Sequence, residues 1–182
     1  MSVRAALRDA TAPAHEEVDG IFSRFDLSRP GSYRRFLRAQ ASALLPVESA
    51  LDQAGAGEVL DDWPSRRRAR SLRDDLAALG GAPPASVNAP VFSGPPAVLG
   101  GLYVLEGSRF GGTLLSRSVP PGMPRAFLGA RSYPLRWRKL LEEMERLLYR
   151  HDQVAAAVEA AVAVFACFAE AGRRELENGT SE

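Results

Sequence analysis

Apolar residues recur every three or four positions along almost the whole chain, and no stretch shows the sustained period of two that marks a strand. The pattern predicts an all-α protein. A first helix covers residues 2–20, broken where Pro13 lacks an amide hydrogen, with Thr11 placed to cap the helical segment after the break. A second opens at Ser28 or Ser32, carries Tyr33, Phe36, Leu37, Ala41, Leu44 and Leu45 toward Asp52, and stops at Gly55 and Gly57. A third spans residues 64–79, with Pro64 in a permitted first-turn position and Gly80 and Gly81 at its end. The loop APPASVNAP leads into a glycine-rich helix over residues 93–117, bent at its glycines and closed by the segment from Val119 to Met123. Further helices are expected at 122–130, 132–150 and 152–177, with NGTSE frayed at the end. No internal repeat or linker divides the chain, which reads as one domain over residues 1–182.

The run from Val98 to Leu115, VLGGLYVLEGSRFGGTLL, breaks the ordinary rules of a helix. Each of Gly100, Gly101, Gly107, Gly111 and Gly112 costs roughly 1 kcal/mol relative to alanine, about 4 to 5 kcal/mol together. Close approach of another backbone, a bend, or a flat ligand against the chain would offset that loss. At about 100° per residue, Gly107, Ser108, Gly111 and Gly112 share an arc of roughly 140° without bulk. Phe110, Leu114 and Leu105 flank that arc and are expected to pack inward. The run has neither Gly-x-Gly-x-x-Gly nor a Gly-Lys-Ser/Thr ending and follows no strand, so it is not a nucleotide loop. Glu106 and Arg109 interrupt it as a membrane dimer motif. Helix packing and a planar ligand both remain open.

Composition narrows the partners. With 23 basic and 22 acidic residues the net charge is +1, so no global field draws the chain to nucleic acid or anionic lipid. The sole cysteine, Cys167, lies in the apolar run VAVFACFAEA and reads as inert core, consistent with a reducing, cytoplasmic setting. VAAAVEAAVAVFACFAEA is alanine-rich and contains Glu159 and Glu170, so it reads as a buried helix rather than a membrane span. Arg66, Arg67, Arg68 and Arg70 are assigned to the surface.

The chain has two histidines, His15 and His151. His151 reads as a surface residue. His15 shares a helix face with Arg8 and Thr11, at i−7 and i−4, and with Asp19 at i+4. An imidazole facing a groove, with a cation near one edge, suits an iron porphyrin whose propionates need a positive partner.

At these residues the chain resembles a known family. LRDATAPAHEEVD is similar to the proximal segment of heme oxygenases, where Thr-x-x-x-His-x-x-x-acidic supplies the axial ligand. LYVLEGSRFGGTLL resembles the distal helix of bacterial members, including those encoded beside bacterial phytochromes, and LLYRHD resembles a later Leu-Tyr-Arg segment facing the propionates. The resemblance spans Leu7 to about Phe168. It implies a single-domain helical fold that sandwiches heme (haem, iron protoporphyrin IX) between a proximal helix and a kinked glycine-rich distal helix.

Carried onto this chain, the resemblance makes His15 the proximal iron ligand, with Arg8 and Thr11 beside it. Gly107, Ser108, Gly111 and Gly112 become the distal wall, with Ser108 holding ordered water. Arg146 and Arg150 would meet the propionates, supported by Tyr103. Ser108 stands where mammalian members place an aspartate, and arginine and alanine replace a lysine pair near the propionates. The implied reaction opens heme, at once substrate and cofactor, to biliverdin, carbon monoxide and ferrous iron. It uses O2 and electrons from a reductase or ferredoxin, with a phytochrome as a candidate recipient of biliverdin. A non-catalytic heme carrier or sensor on the same fold, and an unrelated helical enzyme, are the alternatives; fold does not establish reaction. Taken without the resemblance, Arg146 and Arg150 read as a solvated face paired with Glu142, Glu143 and Glu145.

Overall fold

Ser2 accepts the amide of Ala5 on its hydroxyl and so starts α1 (Val3–Phe22) in the computed structural model, which describes residues 2–129 and 133–179. Pro13 does not break this helix. It faces solvent, as does Asp9, whose carbonyl loses its helical partner, so water can satisfy that group. Thr11 is correspondingly no cap: it is buried in mid-helix and its hydroxyl donates back to the Leu7 carbonyl at 2.8 Å.

Helix α2 (Pro30–Gln53) begins on Pro30 rather than on a serine, because both candidate caps are engaged with Asp26. Ser28 donates to the Asp26 carboxylate at 2.6 Å, and Ser32 accepts the Asp26 amide at 2.9 Å. A second internal proline, Pro46, releases the Ser42 carbonyl in the middle of α2. The amide of Val87 takes it at 3.0 Å, while the Ser42 hydroxyl donates to Ala85. The segment before α5 is therefore strapped onto α2 where the proline opened its ladder.

The single helix expected over residues 64–79 is divided. After α3 (Ala56–Val59), a 3-10 turn covers Trp63–Arg66 and α4 covers Ala69–Ala78. The cause is the buried carboxylate of Glu48 on α2, which accepts the amides of Arg68 at 2.7 Å and Ala69 at 3.1 Å and caps α4 from another helix. Arg66 and Arg68, expected on the surface, are 1% and 6% exposed; Arg67 and Arg70 do face solvent.

Helix α5 (Gly94–Leu115) runs without interruption through all five glycines. A Cβ on Gly100 would stand 2.1 Å from the Ala157 carbonyl oxygen, so here the glycine permits backbone contact with α7 (His151–Asn178). A 3-10 turn, Ser116–Ser118, follows. Residues 122–129, expected as a helix, are irregular, and residue 130 lies outside the described residues. The Asp75 carboxylate takes the amides of Ala126 and Phe127, and the Tyr33 hydroxyl donates to the Pro124 carbonyl, so these groups are not available to a helical ladder.

Helix α6 (Pro134–Leu147) and α7 complete the order, with no strand among the described residues. Alanine-rich α7 is long and apolar enough to cross a membrane by composition, yet it packs against α1, α2 and α5. Its Ala157, Ala161, Val164 and Ala171 join Leu7, Leu37, Leu44 and Leu99 in one core. Cys167 belongs to that core, donates to the Asn88 carbonyl at 3.2 Å, and has its thiol pKa raised by burial. His151 is exposed, as expected. Of the NGTSE tail, Asn178 closes α7, whereas residues 180–182 lie outside the described residues.

Candidate functional site

Because α1 and α5 both pack on α7, a cavity of about 400 Å³ opens between them. Phe165 and Phe168 of α7, Phe36 of α2, and Phe127 and Leu128 of the irregular segment give it apolar surfaces; Trp137 of α6 lines another part. Eight of the ten residues singled out in the sequence line this one cavity. Arg8, Thr11 and His15 come from α1, and Tyr103, Gly107, Ser108, Gly111 and Gly112 come from α5.

The His15 side chain is 59% exposed and stands edge-on to Phe165, with ring centroids 5.6 Å apart. Thr11 lies one turn earlier, with its hydroxyl already committed to Leu7. On the α5 wall, a Cβ at Gly111 would meet nothing within 4 Å, and one at Gly107 would reach only the Trp137 ring, at 3.9 Å. Four of the five glycines thus divide into two groups, and a Cβ on the fifth, Gly112, would make ordinary contact with Leu128 at 3.6 Å. Gly100 and Gly101 are filled against, by Ala157 and Phe92, whereas Gly107 and Gly111 leave open space. Phe110 and Leu114, expected to pack inward, are 45% and 63% exposed; Leu105 is buried. Phe110 instead meets Trp137 edge-on from outside the core.

Tyr103 leans on Trp137 with ring centroids 5.5 Å apart. Burial raises its phenol pKa, and the positive charges of Arg4 and Arg8 only partly oppose the rise, so the hydroxyl keeps its proton. Arg8 itself is exposed and bonded to Asp9 at 2.8 Å. Arg8 is thus the cation of the α1 edge, where the Glu16 and Asp19 carboxylates also line the cavity.

Arg146 and Arg150 are not in the cavity lining. Their i, i+4 spacing does not place them on one face, because α6 ends at Leu147 and α7 starts at His151. Arg146 pairs with Glu143 at 2.6 Å and Arg150 with Asp152 at 2.8 Å, each guanidinium well exposed.

Three polar lining residues were not anticipated, the first being Glu16 of α1. Gln40 adds an amide from α2. Arg68 donates from Nη2 to Ser108 Oγ at 2.7 Å and to the Leu105 carbonyl at 2.9 Å, with Phe127 under its guanidinium at 5.1 Å. Ser108 in turn donates to the same carbonyl at 2.7 Å. Behind them, Glu106 lies between Arg66, at 3.1 Å, and Arg109, at 2.9 Å, forming a buried ionic layer beneath α5. Asp62, one turn before Arg66, accepts from its guanidinium at 2.9 Å and is a partner within the local sequence, whereas the partners of Arg68 lie twenty to forty residues away.

The cavity suits a flat, largely apolar group carrying anions at one edge and a metal within reach of one imidazole. The phenylalanines offer apolar contact, the missing side chains at Gly107 and Gly111 leave room for a plane, and Arg8 offers the cation.

Comparison with known proteins agrees. No family model matches the chain. It is 34% identical over 143 residues to a heme oxygenase of Xanthomonas campestris pv. campestris (strain 8004), an alignment covering 75% of this chain and 86% of that protein. Its fold is similar to the heme oxygenase of Neisseria meningitidis, solved with NO and CO bound, with TM-score 0.72, 19% identity, and coverage of 97% and 93% of the two chains. It is equally similar to the heme oxygenase of Leptospira interrogans, with TM-score 0.73, 19% identity, and coverage of 96% and 100%. On the identity and coverage of the Xanthomonas relative, with an all-helical fold to match, the chain belongs to the heme oxygenase family.

Proposed function

We propose that this chain binds heme between α1 and α5 and opens it oxidatively to biliverdin, carbon monoxide and ferrous iron. Dioxygen and electrons from a reductase or ferredoxin drive the reaction. The observation that carries the reading is the placement of His15 and the small-residue stretch Gly107, Ser108, Gly111 on one cavity, from two helices that meet on α7. Bound heme supplies the redox-active iron and the macrocycle that is oxidised.

The chain's residues contribute ligation, orientation and shielding. His15 would provide the nitrogen that ligates iron, with the Asp19 carboxylate 3.4 Å from Nδ1 and Nε2 left for the metal. Gly107 and Gly111 keep side chains off the opposite face, so α5 backbone limits how a small ligand can lie there. Phe36, Phe165 and Phe168 exclude water from the macrocycle face. Arg8, with the protonated phenol of Tyr103 near it, would receive the propionates and so influence which meso carbon is attacked. The apolar lining and lone cysteine, free among the described residues, are compatible with a reducing cytoplasm.

The test is a heme titration followed by reductant under air. A Soret band that forms and then decays as biliverdin absorbance grows meets the proposal. A band that forms and persists would make the protein a carrier or sensor, and no band at all would remove heme from its function.

A further inference from the structure

Arg68 is a cation without a counter-ion. It is 6% exposed, and among the described residues no carboxylate oxygen lies within 4.0 Å of its guanidinium. The two acids that act on it electrostatically, Glu48 and Glu106, are engaged elsewhere. Glu48 caps α4 through two backbone amides, and Glu106 is held between Arg66 and Arg109. Both of the Arg68 side chain's hydrogen bonds leave from Nη2, so Nε and Nη1 carry N–H groups with no protein acceptor among the described residues, in a side chain that lines the cavity. No buried side-chain nitrogen lacks a partner among the described residues, so these N–H groups are open to the cavity, where water or a bound anion can accept from them. Burial pulls its pKa down from the usual arginine value to about 10, which still leaves it charged at neutral pH.

The neighbouring hydroxyl is in the opposite condition. Ser108 spends its one proton on the Leu105 carbonyl and accepts from Arg68, so it retains acceptor capacity but has no hydrogen to give. The serine expected to be the polar group of the distal wall is thus locked as an acceptor by the arginine behind it.

We infer that Arg68 is the anion-binding residue of the cavity: its free N–H groups hold small negatively charged ligands on the α5 side, while the Leu105 carbonyl holds Nη2 in place and Ser108 accepts from it without donating to the ligand. This rests on heme occupying the cavity with His15 on the opposite side.

The experiment uses ferric heme-loaded protein titrated optically with sodium azide, sodium fluoride and imidazole. Arg68→Met weakens azide and fluoride about 10- to 100-fold, as expected for loss of a charge-assisted hydrogen bond, and leaves neutral imidazole unchanged. Ser108→Ala retains the wild-type affinity for both anions. A folded Arg68→Met protein with a wild-type Soret band and undiminished azide affinity overturns the inference. So does a tenfold loss of azide affinity in Ser108→Ala, which would give the donor role to the serine and remains decisive if Arg68→Met fails to fold. Absence of a Soret band in the unmodified protein would instead refute heme binding, so the two failures are distinct.

Discussion

Nδ1 of His15 lies 3.4 Å from a carboxylate oxygen of Asp19, one turn further along α1. No hydrogen bond joins the two, so the carboxylate stands beside the ring as a negative charge on the side away from Nε2, a weaker form of the carboxylate support that metal-bound histidines use. Both side chains are more than half exposed, so the aspartate's contribution is small beside that of the imidazole.

His15→Ala therefore abolishes axial ligation: the Soret band shifts or collapses, and turnover is lost. Asp19→Asn keeps the ligand and weakens heme affinity by no more than about tenfold. Equilibrium heme titration of both variants measures the difference, and a wild-type spectrum from His15→Ala would end the ligand assignment.

The two groups of glycines separate cavity from packing. Gly111→Leu projects into open space, so it blocks heme while thermal stability changes little. Gly100→Ala places a methyl 2.1 Å from the Ala157 carbonyl oxygen, forcing α5 and α7 apart at a cost on the order of 3 kcal/mol. Its melting temperature falls even though heme does not touch that position. Calorimetry and heme titration on the same samples check both halves, and an unchanged melting temperature for Gly100→Ala would contradict the close contact.

Regiochemistry should follow Arg8 rather than the arginines near α7. Arg8→Ala removes the cavity's α1-edge cation and gives a mixture of biliverdin isomers by chromatography. Arg146→Ala and Arg150→Ala keep the wild-type pattern, because both side chains lie outside the lining. A mixture from the Arg146 variant would reverse that assignment.

Asp75 holds the segment that brings Phe127 and Leu128 to the cavity. Burial raises its pKa more than the two amide bonds lower it. A carboxyl with a folded pKa above its unfolded one contributes stability that is fully present in acid and is lost as pH rises through the folded value. Asp75→Asn, which cannot titrate, costs about 1 kcal/mol at pH 7 through a weakened amide contact, and the gap to wild type widens as pH falls toward 4. Denaturant unfolding at several pH values checks the sign; a gap that narrows in acid would show a depressed pKa instead.

The sequence by itself determined the elements that depend on neighbours along the chain. Periodicity fixed the helical class, the spacing of Thr11, His15 and Asp19 set one face of α1, and the arc of Gly107, Ser108 and Gly111 set one face of α5. Those local faces carried eight of the cavity's lining residues, while the family was read from the resemblance of the strings around them. Contacts across the fold decided the rest. Pro13 survives inside α1 because solvent reaches the carbonyl it frees, and Pro46 survives inside α2 because Val87 fills the gap. Glu48 splits the expected third helix from a distance of twenty residues, and Asp75 and Tyr33 hold residues 124–127 in an irregular path. The same applies to charge. Arg66, Arg67, Arg68 and Arg70 are alike as letters, yet tertiary partners decide which are buried: Arg66 has Asp62 one turn away but enters the ionic layer through Glu106, and Arg68 reaches the cavity wall on acceptors of α5, because desolvating a guanidinium requires acceptors on every side.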